Sequence, residues 1–411
     1  MSGADFNNPL PLELIKAKAQ KYVLGTYRPA DVAFFFGQGE YLYDTNSKQY
    51  IDFLCGIAVT NLGHGEADII EAIREQADRL LHTSNLYYNQ EQALLAEAIV
   101  ENSFPGKVFF CNSGTEANEA AFKLARRHGQ EKGDAVRILT LDGSFHGRTT
   151  AAMSMTGQEK VRQGFGPIIE HITHITPDDS DQLEKVIGED GGGICALVME
   201  LVQGEGGVRP LDKDFVKSAR ELTDEHNILL IIDEIQTGFG RTAKLFAHEH
   251  YEIIPDAITM AKGMANGFPI GGMLVREPFV DLLGPGTHGS TFGGNHLAAR
   301  IAYETLRVIM GRELLSSAEA LSDFFFARLR AVQNTMPMIK EVRGLGLHIG
   351  VVLDRPAGPV VDLCLERGLI VNATADTVIR IMPPLTMSLE RAAEGLDILE
   401  GVLAEVAKSP A

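Results

Sequence analysis

The chain has 411 residues, 45% apolar and 22% charged, a composition that excludes wholesale disorder. At roughly 100–200 residues per domain the length suggests two or three domains, or one large α/β core with an appendage. Asp plus Glu outnumber Lys plus Arg by 55 to 37, and the net charge of −18 argues against nucleic acid or an anionic membrane as partner.

In chain order, residues 1–50 read as irregular, with Pro9, Pro11 and Pro29. They end in an aromatic, alternating stretch around Tyr41-Leu42-Tyr43-Asp44 that predicts a short hairpin. No basic segment precedes an apolar one at the N-terminus, so no secretory signal is expected. No apolar run approaches the ~20 residues that cross a bilayer, and the expected location is the cytoplasm. From about residue 65 the period turns helical, with Ile69, Ile70, Ile73, Ala77, Leu80 and Leu81 at helical spacing, and a second helix fits 91–101. Apolar runs at 107–111, 137–141, 194–200 and 227–233 then alternate with amphipathic segments at 115–128, 180–187 and 212–226. That rhythm predicts an α/β fold with a mostly parallel sheet and helices on both faces. The glycine-rich stretch 188–193 reads as a loop inside this domain. After about 310 come a helix, strands near 349–353 and 378–382, and a closing helix from Leu389, which predict a smaller α+β lobe. The expected division is an N-terminal segment, 1–60, joining the small lobe, a large domain, 61–310, and a C-terminal small domain, 311–411. Cys55, Cys111, Cys195 and Cys364 are too few and too scattered for a disulfide framework or a thiolate zinc site.

Ligands of open α/β sheets sit beyond the carboxyl ends of the strands, and four segments should arrive there. Asn112-Ser113-Gly114-Thr115-Glu116 joins a strand to a helix, and its hydroxyls and free amides suit an anion; a merely capped helix is the commoner outcome for such a loop. Leu229-Leu230-Ile231-Ile232-Asp233 delivers a carboxylate at a strand end, with Gln236 three residues on. A buried carboxylate needs a cationic partner, either a protonated heterocycle or Mg²⁺, and the Mg²⁺ reading lacks its phosphate-binding loop. Lys262 stands among apolar and glycine residues, where desolvation would free its amine as a Schiff-base nucleophile; a lone lysine more often snorkels to the surface. Gly143-Ser144-Phe145-His146-Gly147-Arg148 offers a stacking ring, an imidazole and a guanidinium, or simply a packed Phe beside a surface Arg. A phosphate cradle, a stacking ring, a carboxylate and a desolvated lysine together describe one ligand, pyridoxal 5'-phosphate.

The ordered motifs FLCGIAV, LLHTSNLYYN, KVFFCNSGTEANEAAFKLAR, SFHGRTTAAMSMTGQEK, ELVQGEGGV, LLIIDEIQTGFGRT, MAKGMANGFPIGG, GTHGSTFGGN and VIRIMPPLT carry a resemblance. From Tyr27 to about Pro384 the chain resembles class III (ω-amino acid) aminotransferases of the fold type I pyridoxal-phosphate superfamily, nearest the acetylornithine/succinylornithine branch. The resemblance implies that Lys262 carries the cofactor and moves the proton, that Asp233 bonds the ring nitrogen and that Gln236 reaches the ring's phenolic oxygen. It implies that Phe145 stacks on the ring and that Gly114 and Thr115 hold the phosphate, with Thr291 supplied by the neighbouring subunit of a homodimer that shares its active sites. Substrate contacts fall to Arg148 for the distal carboxylate, to Ser290 and Tyr27, and to Arg380, masked by Glu205 when the amine carbon bears no carboxylate. An ordinary surface pair between the last two would contribute only about 0–1 kcal/mol.

The implied reaction is ping-pong transfer of the δ-amino group of N-acetylornithine to 2-oxoglutarate, giving N-acetylglutamate 5-semialdehyde and glutamate, as in arginine biosynthesis. Succinylornithine, ornithine or 4-aminobutyrate are the alternative donors; a non-enzymatic binding protein is disfavoured because Lys262 and Asp233 are both present. Ile57 stands where ornithine aminotransferases tend to carry tyrosine, which leans away from free ornithine. The chain departs from the family pattern at Gly65-Glu66, Leu201 and Ala265-Asn266. The run Gly344-Leu345-Gly346-Leu347-His348 is not a dinucleotide fingerprint, because its third glycine falls late. His171/His174 and His248/His250 are expected at the surface rather than on a metal, and no metal site is expected.

Overall fold

A computed structural model describes residues 8–408. Its centre is a seven-stranded sheet in the order Gly106–Cys111, Gly271–Arg276, Ala257–Met260, Leu229–Asp233, Ile194–Met199, Arg137–Leu141, Ile172–Ile175. The last five in this order run parallel, and only Gly271–Arg276 is antiparallel to both its neighbours. The inner strands are apolar throughout because both faces are covered. Leu230 and Ile232 join one core while Leu229 and Ile231 join the core on the opposite face, with Leu124 and Ala121 of the helix Gly114–Glu131. The sheet is mixed but mainly parallel, as the alternation of apolar runs and amphipathic segments predicts.

C-terminal to it, an antiparallel sheet takes the order Ile339–Leu345, His348–Leu353, Val378–Ile381, Asn372–Thr374. Helices Leu314–Gln333, Gly358–Glu366 and Leu389–Val406 flank it. The glycine run at 344–346 ends one of these strands and turns into the next, pairing Leu345 with His348.

Residues 8–50 are more regular than their prolines suggest. Leu12–Tyr22 is a helix, built largely of Leu, Glu, Lys, Ala and Gln, all good helix formers, with Pro11 just ahead of the first turn where a missing amide costs nothing. Tyr41–Asp44 is the middle of a three-stranded meander with Phe34–Gln38 and Gln49–Asp52, rather than half of an isolated hairpin. Leu369–Ile370 adds a fourth, parallel strand from the C-terminal part of the chain. The departure at Gly65-Glu66 has a local purpose: Glu66 caps the helix Ala67–Arg79 by accepting from Asp68 N at 3.4 Å, and it pairs with Arg312 at 2.9 Å. Among the described residues no helix is long and apolar enough to cross a membrane.

Candidate active site

The parallel register brings four strand ends to one edge. Asp233 lies opposite Thr259, and Ile232 opposite Met199. The chain beyond these strands therefore converges: Lys262 two residues after Met260, Glu200 directly after Met199, and the Gly143–Thr149 loop after Leu141. A cavity of about 440 Å³ opens there, and Gly114, Thr115, Phe145, Arg148, Glu205, Asp233, Gln236 and Lys262 all line it.

Asp233 closes its strand as a buried carboxylate with three donors. Asn118 Nδ2 and His146 Nδ1 donate to Oδ2 at 2.8 and 2.7 Å, and Ile235 N donates to Oδ1 at 3.0 Å. Burial works against a charged His146, but the hydrogen bond and charge of Asp233 more than offset it and raise its pKa above the ordinary 6.5. Glu200, also buried, accepts from Phe145 N at 2.8 Å and Gly204 N at 3.1 Å. Burial, reinforced by the charge of Asp233, pushes its carboxyl well above the usual range despite the pull of His146. Burial likewise raises Glu234, to about 7; it is not part of the cavity lining and accepts from Ala247 N and His248 N.

Lys262 begins a short turn, Lys262–Ala265, in a left-handed conformation with φ +45°. Burial first, then the charge of Arg380, lowers its ammonium from 10.5 to about 8, against the attraction of Glu205, Asp233 and Glu200. Its Nζ has no hydrogen-bond or ion-pair partner among the described residues. Asn266, which ends this turn, is likewise left-handed, and its side chain ties the turn to Leu62 N at 2.8 Å and Gly63 O at 3.1 Å.

The helix Gly114–Glu131 starts at the cavity. Ser113 Oγ accepts from Glu116 N at 3.3 Å, while the amides of Gly114 and Thr115 donate to no described residue. Orphan amides at the positive end of an 18-residue helix suit an anion. Thr115 Oγ1 meets Thr149 Oγ1 at 2.9 Å and accepts from Arg148 N at 3.2 Å. Gly147 closes this cradle from the other side with φ +137°; a Cβ there would lie 2.2 Å from Thr115 Oγ1. The Arg148 guanidinium stands 5.5 Å from the Phe145 ring centroid.

Arg380 is fully buried and reaches the cavity wall through its partners. Nη1 donates to Glu205 Oε1 at 2.6 Å and to Gln236 Oε1 at 3.2 Å, and Nε donates to Asn372 Oδ1 at 3.1 Å. Burial would raise Glu205, but the charge and hydrogen bond of Arg380 prevail and hold it below the ordinary carboxylate value. Arg380 is desolvated while the Glu205 side chain remains 33% exposed, so the pair is half-buried, unlike the exposed pairs that contribute little.

Ser290, Thr291 and Tyr27 do not line the cavity of a single chain. Thr291 and Tyr27 are exposed, and Ser290 Oγ accepts from Asn112 Nδ2 at 3.2 Å and Gly293 N at 3.0 Å. Val59 lines the cavity, whereas Ile57 does not. The histidines expected at the surface are partly inside: His248 is buried and bonded to Ile253 O, and His250 contacts Thr242 O at 2.8 Å. Burial lowers the pKa of both and keeps them neutral. Sequence reading assigned no role to Asn118, Glu200 or Asn372. Glu200 carried the same signal as Asp233, a carboxylate ending an apolar strand; Asn118 and Asn372 carried none.

Three features fit pyridoxal 5'-phosphate: orphan amides and a hydroxyl for its phosphate, a buried anion for its protonated ring nitrogen, and an unpaired, deprotonatable amine for its aldehyde. Fold and site together define a pyridoxal-phosphate-dependent enzyme of fold type I. The chain belongs to the class III aminotransferase family, whose signature matches residues 27–403. It is 41% identical over 390 residues to an acetylornithine aminotransferase of Caldanaerobacter subterraneus, covering 94% of this chain and 98% of that one. It is 43% identical over 374 residues to acetylornithine aminotransferase 1 of Bordetella bronchiseptica, covering 91% and 95%. Among solved structures, the ornithine aminotransferase of Toxoplasma gondii superposes with a TM-score of 0.93 at 33% identity, covering 97% of this chain and 96% of that one. The acetylornithine aminotransferase of Elizabethkingia anophelis superposes at 0.88 and 32%, covering 96% and 99%.

Proposed function

We propose that this aminotransferase moves the δ-amino group of N-acetylornithine to 2-oxoglutarate, a ping-pong step of arginine biosynthesis in the cytoplasm. The observation that carries this reading is the half-buried Glu205–Arg380 pair beside the Lys262 amine. N-Acetylornithine reacts at a carbon without a carboxylate, whereas glutamate and 2-oxoglutarate react at one that has it. One pocket must serve both. With Glu205 in place, Arg380 is neutralised and the pocket accepts the carboxylate-free carbon. With Glu205 displaced, the guanidinium takes the carboxylate in a fork geometry.

When bound, pyridoxal 5'-phosphate supplies the electron sink that eases proton loss from the amine-bearing carbon. Asp233, supported by Asn118 and His146, would keep the ring nitrogen protonated, and Gln236 would meet the phenolic oxygen. Lys262, with its depressed pKa, holds and returns the proton near neutral pH. Gly114 and Thr115 would hold the phosphate, Phe145 would cover the ring, and Arg148 would take the distal carboxylate common to both substrates.

The same reading places Thr291 and Ser290 in the site of a second copy, in a homodimer, with Tyr27 at the substrate entrance. Exposed Tyr22, Val23, Leu24 and Tyr27, and a second exposed group of Leu86, Tyr87 and Tyr88, support such an interface. It also keeps 1–60 with the small domain, 311–411, around the large domain, 61–310; the pairing of Leu369–Ile370 with Gln49–Asp52 supports the first of these unions. The likeness to the Toxoplasma enzyme makes free ornithine the second reading. Single-turnover spectroscopy of the holoenzyme with N-acetylornithine, N-succinylornithine, ornithine and 4-aminobutyrate decides between them. N-Acetylornithine is expected to discharge the cofactor absorbance fastest; ornithine or 4-aminobutyrate in first place overturns the reading.

A further inference from the structure

Arg380 lies in the strand Val378–Ile381, and the antiparallel register puts Asn372 directly opposite it. Directly paired residues share a face of the sheet, and so does the residue two further along, Thr374. That face meets the loop carrying Glu205. Asn372 Oδ1 receives Arg380 Nε at 3.1 Å, which fixes the plane of the guanidinium. Thr374 Oγ1 donates to the backbone carbonyl of Glu205 at 2.9 Å. Thr374 is nearly inaccessible, so water does not readily replace its bond, and Asn372 is half-buried. Arg343 adds a further anchor, donating from Nε and Nη2 to Gly207 O at 3.1 and 2.8 Å. One short strand, Asn372–Thr374, thus grips both members of the ion pair, one through the guanidinium and the other through the backbone beneath the carboxylate.

We propose that Asn372 and Thr374 are positioning residues that set how readily Glu205 releases Arg380, and hence the preference between donors with and without a carboxylate at the reacting carbon. The inference rests on the switch reading of the Glu205–Arg380 pair. Thr374 stabilises the masked arrangement by holding the Glu205 backbone. Asn372 stabilises the receptive one, because a guanidinium held in plane meets a carboxylate with both donors.

The test is the ratio of single-turnover efficiencies for glutamate and N-acetylornithine in the holoenzyme. A lost neutral hydrogen bond changes such a ratio by roughly three- to tenfold. Thr374→Val is expected to raise the glutamate share by that factor and Thr374→Ser to return it toward wild type, while Asn372→Ala lowers it. Thr374→Ala replaces Thr374→Val should the latter not fold. Because Thr374 acts through Glu205, its effect should vanish in a Glu205→Ala background, a non-additivity that a general loss of structure does not produce. Glu205→Ala alone separates the two ideas. If it leaves the ratio unchanged, the switch reading fails and this inference with it. If it raises the ratio while Thr374→Val and Asn372→Ala slow both half-reactions equally, the switch stands and the positioning role is overturned.

Discussion

The buried amine of Lys262 makes a prediction about stability as well as chemistry. Its pKa falls from 10.5 to about 8 in the folded chain, chiefly through burial. At about 1.4 kcal/mol per tenfold change, the protonated amine costs the apo-protein about 3 kcal/mol. Lys262→Met removes the charge and keeps an unbranched side chain, which suits a position at φ +45°. Between pH 8 and 10.5 the unfolded chain still holds the proton that the folded chain has released. Wild-type stability therefore rises through that window relative to the variant, and below the folded value of about 8 the whole penalty is present. Urea unfolding of both apo-proteins from about pH 7 to 10.5 should show Lys262→Met more stable at the low end, with its advantage shrinking by about 3 kcal/mol toward the high end. Titrations of groups that do not interact with Lys262 cancel in the difference. A difference that does not change with pH would refute the argument that the surroundings of Lys262 disfavour its protonated amine.

Two further outcomes follow from the same geometry. Gly147→Ala forces a Cβ to within 2.2 Å of Thr115 Oγ1 at a left-handed backbone position, so titration of the apo-protein with pyridoxal phosphate should show affinity lower by about tenfold or more; unaltered affinity would mean that Thr115 is not part of the phosphate cradle. Asp233→Asn removes the anion that raises His146, whose stabilisation is present in full below its ordinary 6.5 and fades as pH rises through the raised folded value. The apo-variant should therefore lose most stability relative to wild type at the acid end, with the deficit narrowing above pH 6.5; a deficit that widens with pH contradicts the pairing.

Local sequence rules reached the strands Gly106–Cys111, Arg137–Leu141, Ile194–Met199 and Leu229–Asp233 of the central sheet because each is short and largely apolar, but not Ile172–Ile175, Ala257–Met260 or Gly271–Arg276. The strand Arg137–Leu141 and the closing helix from Leu389 need no tertiary information, since period and composition mark their ends. The helix Leu12–Tyr22 escaped because its prolines outweighed its propensity; it has no buried face in one chain to produce a clear amphipathic stripe. His248 escaped for the opposite reason, as polarity suggested the surface while packing against Phe104 and Phe246 drew it inside.

The candidate site divides along the same line. Asp233, Lys262 and the Gly114-Thr115 turn announce themselves through strand ends and helix starts, which are local features. What the amino-acid order fixes is thus the set of chemical groups delivered to the carboxyl edge of the sheet. Which groups touch is decided by long-range register: Arg380 meets Glu205 across 175 positions of chain, and Asn372 faces Arg380 only because two strands pair antiparallel. The same residues in another register would be ordinary surface charges. Full burial of Arg380 removes most of the water that would otherwise screen its guanidinium, while Glu205 keeps one side open, and that asymmetry turns a salt bridge into a candidate switch.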